Sequence, residues 1–414
     1  MRMKFNKTSQ LLLISAVSLL AAGMMTACGT NTVDFVYVTS SLAAGANSYG
    51  EIDVFEINRV SGFMRQIPTS PFPSGGRNPV AEAVSSDYSN LYVVNRDDNS
   101  IVQFAIGSDG KLYPQNTVNT PGLYPIALAV NGANLFIVDT FQPLQNCSPA
   151  NPCSGSVGVL PIQPATTGSN PTPGGVLGSP VANGILSEWP LTLPGNPTHV
   201  ITPTAVNVLA SGAYIYVAAY DSTVTPSIGY LFGFKVGSSG ALTAVSGSPF
   251  AAGVHPSAIA SGSNSAGTYV YVTDLNSGKI LGYSVASGVL NPLSGSPYLA
   301  GTQPTAIVVD SIYPFAYVTN SLDGSVSGYS IGSSGALSRI GTYSAGLQPV
   351  AIGIDPGTSH FVFTANFLGN GALGTISDFE LSSTDGTLIN TQHSPYTSNA
   401  QPTALAAVPH GIAP

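Results

Sequence analysis

"AQPTALAAVP" (Ala400–Pro409) stands near the end of the chain, and nearly the same phrase, "TQPTAIVVD" (Thr302–Asp310), opens a much longer unit in its middle. The phrase belongs to a repeat made of Pro, a variable residue, Ala and then a short apolar run. Its prolines are Pro79, Pro125, Pro203, Pro256, Pro304, Pro349 and Pro402, spaced by 46, 78, 53, 48, 45 and 53 residues. Two places after each stands Ala: Ala81, Ala127, Ala205, Ala258, Ala306, Ala351 and Ala404. Composition does not produce seven such repetitions, and an Ala in every unit marks a crowded position where no larger side chain fits.

Each apolar run is followed by a turn and a Tyr/Val-rich strand: "LYVVN" (Leu91–Asn95), "LFIVD" (Leu135–Asp139), "VYVTD" (Val270–Asp274), "AYVTN" (Ala316–Asn320) and "FVFTAN" (Phe361–Asn366). A third strand follows, as in "SIVQFAI" (Ser100–Ile106) and "SVSGYSI" (Ser325–Ile331), and a Gly-x-Leu turn leads into a fourth. β-Branched and aromatic runs this short are strand signals, and four strands per 45–50 residues is the period of a propeller blade. Near the start, "FVYVTS" (Phe35–Ser40) is a second strand with no first, while "PTALAAV" (Pro402–Val408) is a first strand with no second. Together they complete one blade and leave no open edge at the seam, so the fold class expected is an all-β, seven-bladed β-propeller of four-stranded antiparallel blades.

Composition agrees. The 414 residues contain 46 Gly and 32 Pro, apolar residues reach 43% and charged residues only 7%, which favours short strands and tight turns over helices. Arg2, Lys4 and Lys7, an apolar run from Leu11 to Ala22 and small residues before Cys28 read as an export signal, the run being short for a membrane span. "MTACG" (Met25–Gly29) resembles a bacterial lipobox, with Met25 in place of the usual Leu. That resemblance implies lipid on Cys28, the alternative being a plain secretory signal cleaved nearby. The expected divisions are residues 1–28 as lipoprotein signal, 29–33 as tether and 34–409 as propeller. Removing the signal takes three basic residues and no acidic one, moving the net charge from −8 to −11 and excluding a nucleic-acid partner. Cys147 and Cys153, bracketing "SPANP", are expected to form a disulfide in an oxidising compartment; a metal site there lacks ligands.

"YVTN" (Tyr317–Asn320), the Gly-x-Leu turns and the Pro-x-Ala strands resemble the YVTN-type repeats of the seven-bladed lactonase-family propellers, over nearly all of Asp34–Pro409. That family includes 6-phosphogluconolactonases and fungal muconate-lactonising enzymes. The resemblance implies the fold, a lactonase activity, and ligands on the face where inner strands begin and second strands end.

On that face the residues before each landmark proline are Asn78, Tyr124, Thr202, His255, Gln303, Gln348 and Gln401, and those ending second strands are Asn95, Asp139, Asp274, Asn320 and Asn366. They are expected to form a polar funnel that binds ligand, although Asn and Asp at strand ends also serve their own turns. Glu82 departs from its apolar equivalents Leu128, Val206, Ile259, Ile307, Ile352 and Leu405, and a carboxylate there either meets a partner such as Arg77 or takes a raised pKa. Blade three is long, with extra residues assigned to 141–154 and 181–202, both expected at the funnel, as a lid, as a docking surface using Trp189, or as a tolerated insertion.

Catalytic elbows, zinc-protease motifs and phosphate loops are missing from the sequence, and no ligand cluster suggests a quinone- or metal-dependent oxidoreductase. No cofactor or metal is expected. One reading is an exported, envelope-anchored lactonase with Glu82 or His255 as base and Arg77 or ring amides as oxyanion donors, acting on an uncharged lactone. The other is a non-catalytic propeller binding carbohydrate or an envelope protein. Either way the chain is expected to be monomeric and to meet the membrane only through its lipid.

Overall fold

The computed structural model describes residues 32–41, 49–144, 146–166, 174–369 and 373–410; the export signal and Cys28 lie outside them. The described strands form seven antiparallel sheets whose innermost strands contact one another in sequence around a ring. Those strands are Gln401–Pro409, Pro79–Val84, Leu123–Val130, Ile201–Val208, Pro256–Asn264, Pro304–Val309 and Leu347–Ile354, belonging to blades one to seven in that order. Blade one is shared between the ends: Thr32–Ser41 pairs with Gln401–Pro409, with Phe35 opposite Val408 and Val38 opposite Leu405. The only helical turn among the described residues is Arg96–Asp98.

The Pro-x-Ala phrase has a physical meaning beyond the crowding expected of its Ala. In all seven blades the pairing of inner and second strands slips between the Pro and the Ala, so that phrase is a β-bulge. Proline fits there because a bulge releases a ladder position and proline has no N–H to offer it. The variable residue between them is a hydroxyl in several blades and reaches the next one. Ser257 donates to Pro304 O (2.6 Å), Thr305 to Pro349 O (2.7 Å) and Thr403 to Pro79 O (2.9 Å).

Tyr-Val strands and Gly-x-Leu turns are two halves of one clamp between neighbouring blades. The buried hydroxyls of Tyr37, Tyr92, Tyr216, Tyr271 and Tyr317 donate to the carbonyls of Gly110, Gly175, Gly288, Gly335 and Gly386 at 2.7–3.0 Å. Each of those glycines has a positive φ, between 74° and 90°, which turns its carbonyl toward the tyrosine without a side-chain clash. Around the clamps, apolar residues of adjacent blades pack face to face, as where Phe136 and Val138 of blade three meet Val206, Ile215 and Val217 of blade four. The core is therefore a ring of seven inter-blade layers.

Blade three corrects the expected division. Its fourth strand is Glu188–Pro190, inside the stretch assigned to an insertion, and it pairs with Ser156–Pro161. Trp189 is 8% exposed and packed in the core with Leu191 and Val206, so it offers no docking surface. Residues 162–166 and 174–187, between the third strand and the fourth, lie on the face opposite the funnel, while 142–144, 146–155 and 191–200 border the funnel face. Cys147 and Cys153 are joined as a disulfide with a Cα–Cα separation of 5.5 Å, closing a loop that also carries a Ser148–Asn151 bridge.

Candidate functional site

The residues ending the second strands are not free to meet a ligand. Asn95, Asp139, Asp274, Asn320 and Asn366 are each at most 1% exposed. Several of their side chains hold the segment that leads from the preceding blade into their own. Gly122 N donates to Asp139 (3.0 Å), Val254 N and His255 N donate to Asp274 (2.8 and 3.1 Å), and Gly301 N donates to Asn320 (2.8 Å). Asn95 exchanges hydrogen bonds with Ser74, and Asn366 donates to Thr375 and Ser377. The approach requires glycine three places before the landmark proline. A Cβ on Gly76, Gly122, Gly253, Gly301 or Gly346 would come within 2.3–2.6 Å of the matching Asn or Asp. This Gly-x-x-Pro partnership was visible in the sequence as spacing but carries no chemistry there until the strand-end amide is seen filling the glycine's empty side. Asp139 is the exception in charge: burial pushes its carboxyl up to about 7 against the bond from Gly122 N, and its Oδ1 has no hydrogen-bond partner.

The rim open to solvent is the other set, and it is neutral. Asn78, Tyr124, Thr202, His255 and Gln401 are half-buried, and Gln303 and Gln348 are exposed. Four of them, Asn78, Tyr124, Gln303 and Gln348, hold φ of 50–55°, a left-handed backbone that non-glycine residues avoid. His255 stacks on Tyr220 with ring centroids 4.0 Å apart and planes 27° off parallel. Burial lowers its pKa, with the charge of Asp274 acting in the other direction. Tyr124 meets Phe141 edge-on at 5.7 Å, and Asn78 donates to Asp97 (3.3 Å).

The three proposed catalytic residues have separate surroundings. Arg77 gives its guanidinium and its backbone N–H to Asp98, at 2.6 and 2.7 Å, which corrects the expectation that it partners Glu82. Glu82 turns toward blade one, where its Oε2 accepts a short hydrogen bond from the Thr39 hydroxyl while Oε1 has no partner. Its equivalents Leu128, Val206, Ile259 and Ile307 are 8–9% exposed and pack on the preceding blade, so Glu82 places a carboxyl in an apolar inter-blade layer. Burial pushes it up to about 8, the bonds from Thr39 and from the backbone at Ala406 and Thr39 only moderating that, and near neutral pH it is mostly protonated. His255 lies on the rim between blades four and five, away from both.

Sequence reasoning missed an acid–base pair on this rim. His199 Nδ1 lies 2.5 Å from Asp221 Oδ2, joining the loop after blade three to the end of the second strand of blade four, Tyr214–Asp221. The histidine side chain is 29% exposed and the aspartate side chain 1%. A histidine within an assigned insertion and an aspartate two places beyond the usual strand-end position gave no common signal. Among the described residues no cluster of three or more His, Cys, Asp or Glu is arranged to hold a metal. On the opposite face, a cleft of about 690 Å³ is lined by Asn90, Gln103, Tyr113, Gln115 and Gln163 among others.

The model of one family, described as "Lactonase, 7-bladed beta-propeller", matches residues 33–147 and 190–411 of the chain. Among solved structures, a putative 6-phosphogluconolactonase from Bacteroides fragilis is similar at 19% identity and a TM-score of 0.67, with 92% of this chain and 99% of that one covered. The Pseudomonas aeruginosa periplasmic gluconolactonase PpgL is similar at 18% identity and a TM-score of 0.67, covering 91% of this chain and 99% of that one. No curated protein matches the sequence.

Proposed function

Because the chain belongs to the seven-bladed β-propeller lactonase family, we propose that it hydrolyses a lactone at the rim formed by the residues preceding the landmark prolines, and that its substrate is uncharged and sugar-like. The observation that carries this is the chemistry of that rim: amides, hydroxyls and stacked rings face solvent, while Arg77 and Arg96 beside it are paired with Asp98 and Asp97. Such a surface hydrogen-bonds a polyol ring and its ester carbonyl, and it leaves a phosphate without a dedicated cation clamp. Four left-handed residues on the same rim support its assignment as a working surface, since backbone strain of about 1–3 kcal/mol per residue persists where the surroundings over-determine it. Bulges beside every one of these positions have the same association with active-site rims.

The similarity to a periplasmic gluconolactonase supports an envelope location, in line with the export signal and lipidated Cys28 read from the sequence. A second reading, a non-catalytic binder of neutral carbohydrate, is favoured by two observations: the carboxyl of half-buried Glu82 is turned to Thr39 of blade one, and Arg77 is occupied by Asp98. The two readings separate in a hydrolysis assay of the domain from Val33 onward against unphosphorylated sugar lactones, 6-phosphogluconolactone and simple lactones. Turnover above the water rate, greatest for the uncharged sugar lactones, supports the lactonase. Absence of turnover on every substrate overturns it in favour of the binder.

A further inference from the structure

We propose that His199 is the general base of this hydrolysis and that Asp221 positions it; the proposal rests on the lactonase reading above. The backbone around His199 is fixed from several directions. Ser154 Oγ donates to His199 O (3.0 Å), Ile201 N donates to Ser154 Oγ (3.0 Å), and Val200 N donates to Thr223 Oγ1 (2.7 Å). Asp221 is equally constrained, since its Oδ1 accepts from Thr223 N (2.9 Å) while Oδ2 faces His199 Nδ1. Burial opposes the charge of Asp221, and the bonds from His199 and Thr223 outweigh it, so the carboxyl stays below its ordinary range and is ionised.

An ionised carboxylate only accepts hydrogen bonds, so Nδ1 carries a proton and the free lone pair of the uncharged tautomer is at Nε2. No other hydrogen bond reaches this ring among the described residues, and 29% of the side chain remains open to solvent. This is the arrangement in which a buried acid fixes the tautomer and orientation of an imidazole that works as a base. The same strand end carries Tyr220, stacked on His255, and Ser222, which accepts a hydrogen bond from Thr202 (3.3 Å). Base, stacked rings and hydroxyls therefore share the part of the rim between blades three and five.

The reaction balances with water alone. Nε2 takes a proton from water as its oxygen forms a bond to the lactone carbonyl carbon, and the carbonyl electron pair moves onto oxygen. When the tetrahedral intermediate collapses, the ring C–O bond breaks and the departing alkoxide takes the proton back from Nε2. The product is the open hydroxy acid, and the imidazole is restored.

The test uses the best lactone from the assay above, with His199→Gln and Asp221→Asn beside the unsubstituted protein. His199→Gln is expected to lower kcat by about 10²–10³-fold with KM little changed. Asp221→Asn is expected to lower kcat less, again with KM little changed, because the ring loses the acceptor that fixes its tautomer and orientation. A folding defect is separated from a chemical one by the histidine ¹⁵N resonances of the unsubstituted protein: a lactam analogue should shift those of His199. Full activity in His199→Gln, or no shift on adding the lactam, overturns the proposal while leaving the lactonase reading intact. An unsubstituted protein inactive on every lactone removes both.

Discussion

Glu82 is where a single residue departs furthest from its repeat, and its physics is that of a proton held by burial. Its position was legible in the sequence because six equivalents are apolar, and so was the choice between a partner and a raised pKa. That the second alternative holds was not legible, because it depends on Asp98 holding Arg77 at the end of its strand and on Thr39 reaching Glu82 from the neighbouring blade, 43 residues earlier. The folded-state pKa, about 8, lies above the ordinary value of 4.5, so the folded protein binds this proton more tightly than the unfolded chain does. Stability from this group is therefore fully present below about pH 4.5 and is lost as the pH rises toward about 8. Glu82→Gln keeps the shape and removes the titration. The variant should match the original in Tm near pH 5 and exceed it by several degrees near pH 8.5, on the order of a few kcal/mol of stability. Thermal melts at the two pH values check this, and an equal Tm difference at both would show that the carboxyl ionises without cost.

At the scale of the element, repeated residues identified strands correctly while hiding what they bind. The Pro-x-Ala phrase reads as a crowded strand start, yet the slip of register it encodes is seen only when the second strand lies beside it. Tyr317 of "YVTN" and Gly386 of a Gly-x-Leu turn are 69 residues apart and in different blades, so sequence shows two motifs where the fold has one bond. Tyr317→Phe tests the clamp. Phe136 and Phe363 already occupy the equivalent strand position, so the ring fits, and the loss isolates the hydroxyl and the buried Gly386 carbonyl it leaves unpaired. We expect a cost of about 1–2 kcal/mol in urea unfolding with the slope unchanged. A loss below about 0.3 kcal/mol would mean that water replaces the hydroxyl at no cost.

Across the whole molecule, ring closure was legible because strand order is a property of the repeat: a missing first strand at one end and a surplus one at the other define the seam of blade one. That two circles of polar residues share one face was legible for the same reason. Which of them faces solvent was not. The strand-end Asn and Asp turn inward to fill the space beside the glycine that leads into their own blade, leaving the residues before the prolines as the exposed circle. The periodic pattern could not reveal His199 and Asp221, since both lie off it: His199 follows the blade whose length breaks the period, and Asp221 stands two places past the usual strand-end position in the next blade. The lactonase reading places an uncharged lactone on this rim. A crystal structure of the protein with a lactam analogue of the best substrate tests that placement. The ligand is expected on the rim beside Tyr220, His255 and His199. Ligand bound instead in the cleft on the opposite face, against Gln103 and Tyr113, would contradict it.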